Sequence, residues 1–261
     1  MRRRLGQHFL TSELTLEKIA AASQSAGAVI IEIGPGHGEL TKYLCKNSAR
    51  VTVLERDSRL ADELRADKRF WSVEVIEGNA LVTLPLLVAR LEKEKTPYVL
   101  VGNIPYYITG RLLHIVGDVS YKPIHTVLLI QKEVALRLCA NPPHMNLLAA
   151  IVQAWASPTI LFSVPRGLFS PPPEVDSAVV MFETRASLPS HHILLSYYAF
   201  MRILFRHPRK TILNNLLECA NVSRDDVVGR CGQIGVNSTH RPQTLSPEML
   251  EGLFYLFAGS F

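Results

Sequence analysis

Ala28-Val29-Ile30-Ile31-Glu32-Ile33-Gly34-Pro35-Gly36-His37-Gly38 decides the fold: a short apolar strand runs straight into a glycine loop, and a helical pattern through Leu40, Tyr43 and Leu44 follows. Glycines between a strand and a helix let a ligand approach the backbone, with the N–H groups of the helix N-terminus aimed at it. Working outward, Val51-Thr52-Val53-Leu54 reads as a second strand, and Val73-Glu74-Val75-Ile76 as a third that leads to Glu77-Gly78-Asn79-Ala80. Val99-Leu100-Val101-Gly102, bounded by Pro97 and Pro105, reads as a fourth, buried on both faces. Such a series suits a parallel sheet. Before it, Ser12 can cap a helix whose apolar side includes Leu14, Leu16, Ile19 and Ala20.

Each strand ends in a residue with chemistry to offer. Glu55 closes the second strand, where a doubly wound sheet binds the two hydroxyls of a ribose. A nicotinamide cofactor would ask for the same acid, but Glu39 stands where the third glycine of a dinucleotide fingerprint belongs, and nothing downstream looks like a hydride-transfer site. Asn79 after the third strand can pair with an adenine, or it can simply form a turn. After the fourth strand, Pro105 pushes Ile104 toward an extended conformation, so the Asn103 side chain and the Ile104 carbonyl are held still as two neighbouring acceptors. An exocyclic amino group has two hydrogens to place, and its ring can lie on Tyr106. Accepting those hydrogens out of the ring plane would free the nitrogen lone pair; the plainer alternative is a strand-end turn.

With 261 residues, 48% of them hydrophobic, the chain can bury a sizeable core, and its length suggests about two domains. Apolar runs are broken before membrane-spanning length, and Met1-Arg2-Arg3-Arg4 leads into no unbroken apolar segment, so a cytosolic location is expected. Cys45, Cys139, Cys219 and Cys231 are scattered, which suits thiols and not a zinc site. The net charge of +5 is concentrated in Arg2, Arg3 and Arg4 and in Arg202, Arg206, His207, Arg209 and Lys210, which are candidates for phosphate binding or plain solvated surface.

Further on, Ile124-His125-Thr126-Val127-Leu128-Leu129-Ile130 reads as a strand, Gln131 to Leu138 as a helix, and Thr159 to Val164 and Ser177 to Phe182 as the last two strands around a stiff proline-rich loop. Beyond Thr184 only helical periodicity remains: Ile193, Leu194, Tyr197, Tyr198, Met201 and Leu204 share one apolar face, which Leu213, Leu216 and Leu217 continue.

Seven blocks in order resemble the ribosomal RNA adenine N6-dimethyltransferases. They are Gly6-Gln7-His8-Phe9-Leu10, the strand and loop Glu32 to Gly38, Glu55, Asn103-Ile104-Pro105-Tyr106, Gln131-Lys132-Glu133-Val134, Phe169-Ser170-Pro171-Pro172-Pro173-Glu174-Val175-Asp176-Ser177, and Arg209-Lys210-Thr211-Ile212-Leu213-Asn214-Asn215-Leu216. The resemblance implies an α/β fold, with a Rossmann-like S-adenosylmethionine methyltransferase sheet over 1–185 and a small C-terminal all-helical, RNA-docking domain over 186–261. It also implies methyl transfer to N6 of two adjacent adenosines near the 3′ end of small-subunit rRNA, within an immature ribosomal subunit, by a monomer that needs neither metal nor membrane. The triple proline and Arg209-Lys210-Thr211 are more similar to this maturation branch than to the branch that modifies large-subunit rRNA and confers macrolide resistance. A non-catalytic assembly factor stays open as the third reading.

By the same resemblance, His8, Leu10, Gly34, Gly36, Glu55, Asn79 and Asn103 touch the cofactor, while Asn103, Ile104, Pro105 and Tyr106 hold the target base. Phe169, fixed in an exposed position by its prolines, closes on that base opposite Tyr106; a core aromatic is the alternative. Arg206, Arg209 and Lys210 bind RNA. Asn79 replaces an aspartate of many members, though its amide still offers an acceptor. Met145-Asn146-Leu147-Leu148-Ala149 departs from the usual block, so polar contacts near Gln153 are lost or replaced. In His207-Pro208 the proline is expected in the first turn of a helix.

Overall fold

The computed structural model describes residues 8–48, 50–219 and 221–259, without the side chains of residues 47 and 219. Arg2, Arg3, Arg4, Gly6 and Gln7 lie outside the described residues, as does the Cys219 thiol. Two compact units emerge from the packing, and each is taken by itself.

The first unit contains the described residues up to Ala135 together with Ser157–Thr184. Its chain runs β1 (Phe9–Leu10), α1 (Glu13–Ala22), β2 (Val29–Ile33), α2 (Thr41–Asn47), β3 (Val51–Glu55), α3 (Ser58–Ala66), β4 (Glu74–Glu77), α4 (Ala80–Lys93), β5 (Tyr98–Asn103), α5 (Thr109–Asp118), β6 (His125–Gln131) and α6 (Lys132–Leu138), the last crossing into the other unit. After α7 (Leu147–Gln153), which belongs to that unit, come β7 (Ala156–Val164), β8 (Phe169–Ser170) and β9 (Ser177–Thr184). Seven strands form one sheet in the order β4-β3-β2-β5-β6-β9-β7. From β4 to β6 all neighbours are parallel, and β9 returns antiparallel against β6.

Hydrophobic content explains the middle of this sheet. Every residue of β2 and β3 is buried, as is β5 up to Gly102, because helices cover both faces. Gly102 is required by closeness: a Cβ there would lie 2.7 Å from the Ile33 carbonyl oxygen. The chain leaves β2 toward β3 on one side and reaches β5 on the other, which opens a crevice at the strand ends between them. In α1, Ser12 does cap the helix by accepting from Thr15 N–H, and Leu16, Ile19 and Ala20 are buried. Leu14, expected on that apolar side, is 63% exposed instead, because it falls outside the i, i+3, i+4 stripe of the other three.

The second unit joins Leu136–Ala156 to the chain from Arg185 onward. It contains α7, α8 (His191–Leu204), α9 (Ile212–Cys219), α10 (Arg224–Gln233) and α11 (Pro247–Phe257). Of the apolar face expected on α8, Leu194, Tyr197, Tyr198, Met201 and Leu204 are buried, with Tyr197 edge-on to Phe254 at 5.5 Å; Phe200, outside that expectation, is buried too and stacks on Phe257 at 6.4 Å. A contiguous division at residue 185 therefore misses one piece. Leu136–Ala156 packs with the helices because α7 lies against α8 and α11. The unusual block before Gln153 is answered locally: Asn146 caps α7 by accepting from Ala149 N–H, and Gln153 donates to the Leu138 and Ala140 carbonyls at 3.1 and 3.0 Å. Pro208 sits in a turn, four residues before α9 begins at Ile212, and not in the first helical turn.

No helix among the described residues is long and apolar enough to cross a membrane. Among those residues, no group of three or more His, Cys, Asp or Glu side chains could hold a metal, and Cys45, Cys139 and Cys231 lie outside any disulfide.

Candidate active site

The crevice at the ends of β2 to β5 is a cleft of about 1050 Å³, open mouth included. Gly34 and Gly36, Glu55, Asn79, and Asn103 to Tyr106 all line it, and so do His8 and Leu10. Gly36 shows why the loop needs glycine. Its φ of 61° is left-handed, and a Cβ there would lie 2.8 Å from the Phe9 ring. Glu55 is only 4% exposed, yet both oxygens have backbone partners: Gly36 N–H donates to Oε2 at 3.3 Å and Asp57 N–H to Oε1 at 2.8 Å. The acid thus shapes the glycine loop and still presents lone pairs to the cleft.

Asn79 does form a turn, as the cap of α4, and lines the cleft as well. Its Oδ1 accepts from Leu81 N–H at 3.1 Å. Capping takes one of the two lone pairs of Oδ1, so the amide keeps an acceptor site on Oδ1 and the Nδ2 donors for the cleft.

Asn103 is fixed the opposite way round. Its Nδ2 donates one hydrogen to the His8 carbonyl at 3.0 Å, which fixes the amide plane and leaves Oδ1 able to accept from a ligand. Ile104 is buried, and Pro105 sits at φ −55° and ψ 130°, which holds the neighbouring carbonyl in place. The Tyr106 hydroxyl shares a 2.7 Å hydrogen bond with Ser177 Oγ at the start of β9. Burial pushes that hydroxyl above its ordinary pKa, so it stays protonated, and the ring orientation is pinned.

The chain from His8 to Thr11 is a strap that sequence reading missed as structure. Phe9 and Leu10 pair antiparallel with Ser170 and Phe169, and Thr11 N–H donates to the Leu168 carbonyl at 2.8 Å. His8 Nδ1–H donates to the Pro171 carbonyl at 2.8 Å, and its ring stacks near Tyr106 at 6.1 Å and 21°. Two-residue strands carry no period by which a sequence could announce them.

Phe169 departs most from expectation. It is 4% exposed and packs in the core with Leu10, Leu16 and Leu40, and the cleft lining does not include it. Pairing with the strap turns its side chain inward, so the plainer alternative of a core aromatic is the observed one. The ring that faces Tyr106 is that of His8.

Glu32 was not singled out from the sequence, although an acid inside Val29-Ile30-Ile31-Glu32-Ile33 is a signal in its own right. It lines the cleft at 1% exposure, and Thr41 Oγ1 donates to it at 2.6 Å. Burial pushes its carboxyl up to about 8, with Glu39 and Glu55 adding to the rise and the Thr41 hydrogen bond opposing it.

In the helical unit, Arg206, Arg209 and Lys210 are all exposed on the loop between α8 and α9. Buried Asn215 ties this loop down. Its Oδ1 accepts from His207 N–H at 3.1 Å, and its Nδ2 donates to the His207 and Thr211 carbonyls at 3.2 and 3.0 Å. Lys210 is not an open cation: its Nζ lies 2.9 Å from Glu218, which His207 also approaches at 3.2 Å.

A family model described as ribosomal RNA adenine dimethylase matches residues 1–241. The chain belongs to this family. Among its relatives is the ribosomal RNA small subunit methyltransferase A of Dehalococcoides mccartyi (strain CBDB1), 35% identical over 99% of this chain and 89% of that protein. The protein of the same name from Mycoplasma mycoides subsp. mycoides SC is 32% identical over 96% and 95%. Among solved structures, a dimethyladenosine transferase from Plasmodium falciparum matches with a TM-score of 0.79 at 25% identity, covering 96% of this chain and 97% of that one. The 23S rRNA methyltransferase ErmE matches at 0.75 and 26%, covering 95% and 98%. The sheet of this chain is accordingly a Rossmann-like methyltransferase fold, and the enzyme class is rRNA methyltransferase.

Proposed function

We propose that this chain binds S-adenosylmethionine across the ends of β2, β3 and β4 and presents an RNA adenosine at Asn103 to Tyr106. The products are dimethyladenosines at two adjacent positions near the 3′ end of small-subunit rRNA, formed in an immature subunit. One observation supports the reading of the site: the His8 carbonyl engages an Asn103 amide hydrogen, which orients the amide and leaves Oδ1 to accept from a ligand, with the Ile104 carbonyl as the second acceptor that this reading calls for. The small-subunit branch is supported by the relatives that bear that name.

The residues of the cleft suit the cofactor. Glu55 would accept from the ribose hydroxyls, and Asn79 Nδ2 would donate to a ring nitrogen of the cofactor adenine. Gly34 and Gly36 would let the amino-acid portion lie on the loop, with His8 and Leu10 over it. Beside a cationic group, Glu32 would regain its charge. When bound, S-adenosylmethionine supplies a methyl group carried on positively charged sulfur.

Asn103 and Ile104 then accept the two N6 hydrogens out of the ring plane, which tilts the nitrogen toward tetrahedral geometry and frees its lone pair. Tyr106, fixed by Ser177, carries the ring. Neither acceptor is a base, so the proton lost on transfer goes to solvent. After one transfer the remaining N6 hydrogen still has an acceptor, and the base can be presented again. In this reading the helical unit docks RNA through its basic loop, and the protein acts as a cytosolic monomer without a metal.

The test is transfer of labelled methyl from S-adenosylmethionine to immature small subunits and, in parallel, to large-subunit RNA, followed by nucleoside analysis. Dimethyladenosine in the small subunit alone is expected. Label in large-subunit RNA would move the protein to the resistance branch, and RNA binding with no label in either would make it an assembly factor.

A further inference from the structure

Tyr107 is the neighbour of Tyr106 in sequence and its opposite in environment. Tyr106 is half-buried and anchored on Ser177, whereas Tyr107 is 63% exposed while lining the mouth of the same cleft. Among the described residues its side chain has no hydrogen-bond or ring partner. Its face is left to water where a core-forming residue would have been covered.

The helical turn Tyr106–Ile108 runs directly into α5, and Arg111 lies four residues after Tyr107. That spacing puts both on one side of the helical stretch, and Arg111 is exposed as well. An aromatic face with a guanidinium one turn away suits a nucleotide, the ring taking a base and the cation a phosphate. Lifting an adenosine out of its stack leaves the adjoining base with an uncovered face, and the backbone delivers that base to the mouth of the cleft.

We infer that Tyr107 and Arg111 form a second subsite, which takes the nucleotide next to the target adenosine, its base on the Tyr107 ring and its phosphate on Arg111. The inference rests on methyl transfer to an RNA adenosine at Asn103 to Tyr106. It makes the reaction sensitive to the identity of the neighbour, because a purine offers a larger stacking face than a pyrimidine.

The test uses the full chain and an RNA hairpin with one methyl-accepting adenosine, in two versions that carry 2-aminopurine on its 5′ or 3′ side. Tyr107→Ala is expected to raise the KM for this RNA about tenfold, equivalent to about 1.4 kcal/mol. Tyr107→Phe, which keeps the ring, should stay near wild type, and S-adenosylmethionine affinity should be the same in all three proteins. The 2-aminopurine quench at one flanking position should be lost in Tyr107→Ala. Arg111→Ala should lower the salt dependence of RNA binding by about one phosphate contact. An unchanged KM and quench in Tyr107→Ala, or an equal loss in Tyr107→Phe, would overturn the subsite. A wild-type chain that moves no methyl to any RNA would overturn the underlying reading, and it is read before the variants are compared.

Discussion

The cleft at the ends of β2 to β5 and the loop between α8 and α9 both offer polar side chains to a ligand, but they hold them by opposite means. In the cleft, Glu55, Asn79 and Asn103 are each bonded to a backbone group, namely Gly36 and Asp57 N–H, Leu81 N–H and the His8 carbonyl. Backbone partners do not change rotamer, so the remaining donors and acceptors of each side chain point in set directions. In the loop the backbone is what is fixed, by Asn215, while the cations stand exposed on long stems, and Lys210 and His207 converge on one carboxylate. The first arrangement can position atoms for a reaction. The second can supply charge without choosing a sequence.

The sharpest way to break that contrast is Asn103→Ala. If the cleft acts by position, removing one fixed acceptor should lower methyl transfer more than about a hundredfold, as for other preorganised hydrogen-bonding groups. RNA binding, measured separately by titration, should stay close to normal. Equal losses of binding and transfer would make the cleft another docking surface.

Glu32 gives the next largest effect, and its sign can be worked out. Its carboxyl rises from an ordinary 4.5 to about 8, so over that window the folded protein holds a proton that the unfolded chain has released. Stability should therefore fall as pH rises from about 4.5 toward 8, and Glu32→Gln should flatten this slope in pH-dependent melting. Binding of a cationic ligand favours the ionised form, so S-adenosylmethionine affinity should rise up to tenfold per pH unit below about 8 and level off above it. Calorimetric titration at several pH values would check this. A wild-type affinity without pH dependence would remove Glu32 from the cofactor site.

The same contrast explains what could be read from the sequence. Gly34, Gly36, Glu55 and Asn103 were legible as strand-end residues because strand ends and positive-φ turns demand particular residues at particular spacings, and the strands themselves were legible from their buried runs. Phe169 was misread for want of long-range information: it is turned inward by pairing with Leu10, more than 150 residues earlier in the chain. Asn79 was half legible. Its place in the cleft and its turn were both foreseen, but as alternatives, whereas the cap of α4 and the cleft lining use the same residue. The Lys210 to Glu218 pair was missed for a different reason, since eight residues of separation across a turn have no periodic signature. Leu136–Ala156 joined the helices through packing that its own composition does not announce.

The smallest effects belong to the basic loop, where two substitutions should act in opposite directions. Arg209→Ala should weaken RNA binding a few-fold and lower its salt slope by about one, while leaving methyl transfer at saturating RNA close to wild type. Glu218 is the internal rival of a phosphate: Lys210 lies 2.9 Å away and holds its carboxyl below the ordinary range. Because both side chains are more than two-fifths exposed, water and salt screen the pair, and an RNA phosphate can displace it. Glu218→Gln releases Lys210 and His207 from that competition, so RNA binding at low salt should tighten by about two- to fivefold, with the gain fading as salt rises. Filter binding across a salt series reads both variants. Weaker binding by Glu218→Gln would mean that the carboxylate keeps the cations in place for the RNA, and the loop would then work by position, as the cleft does.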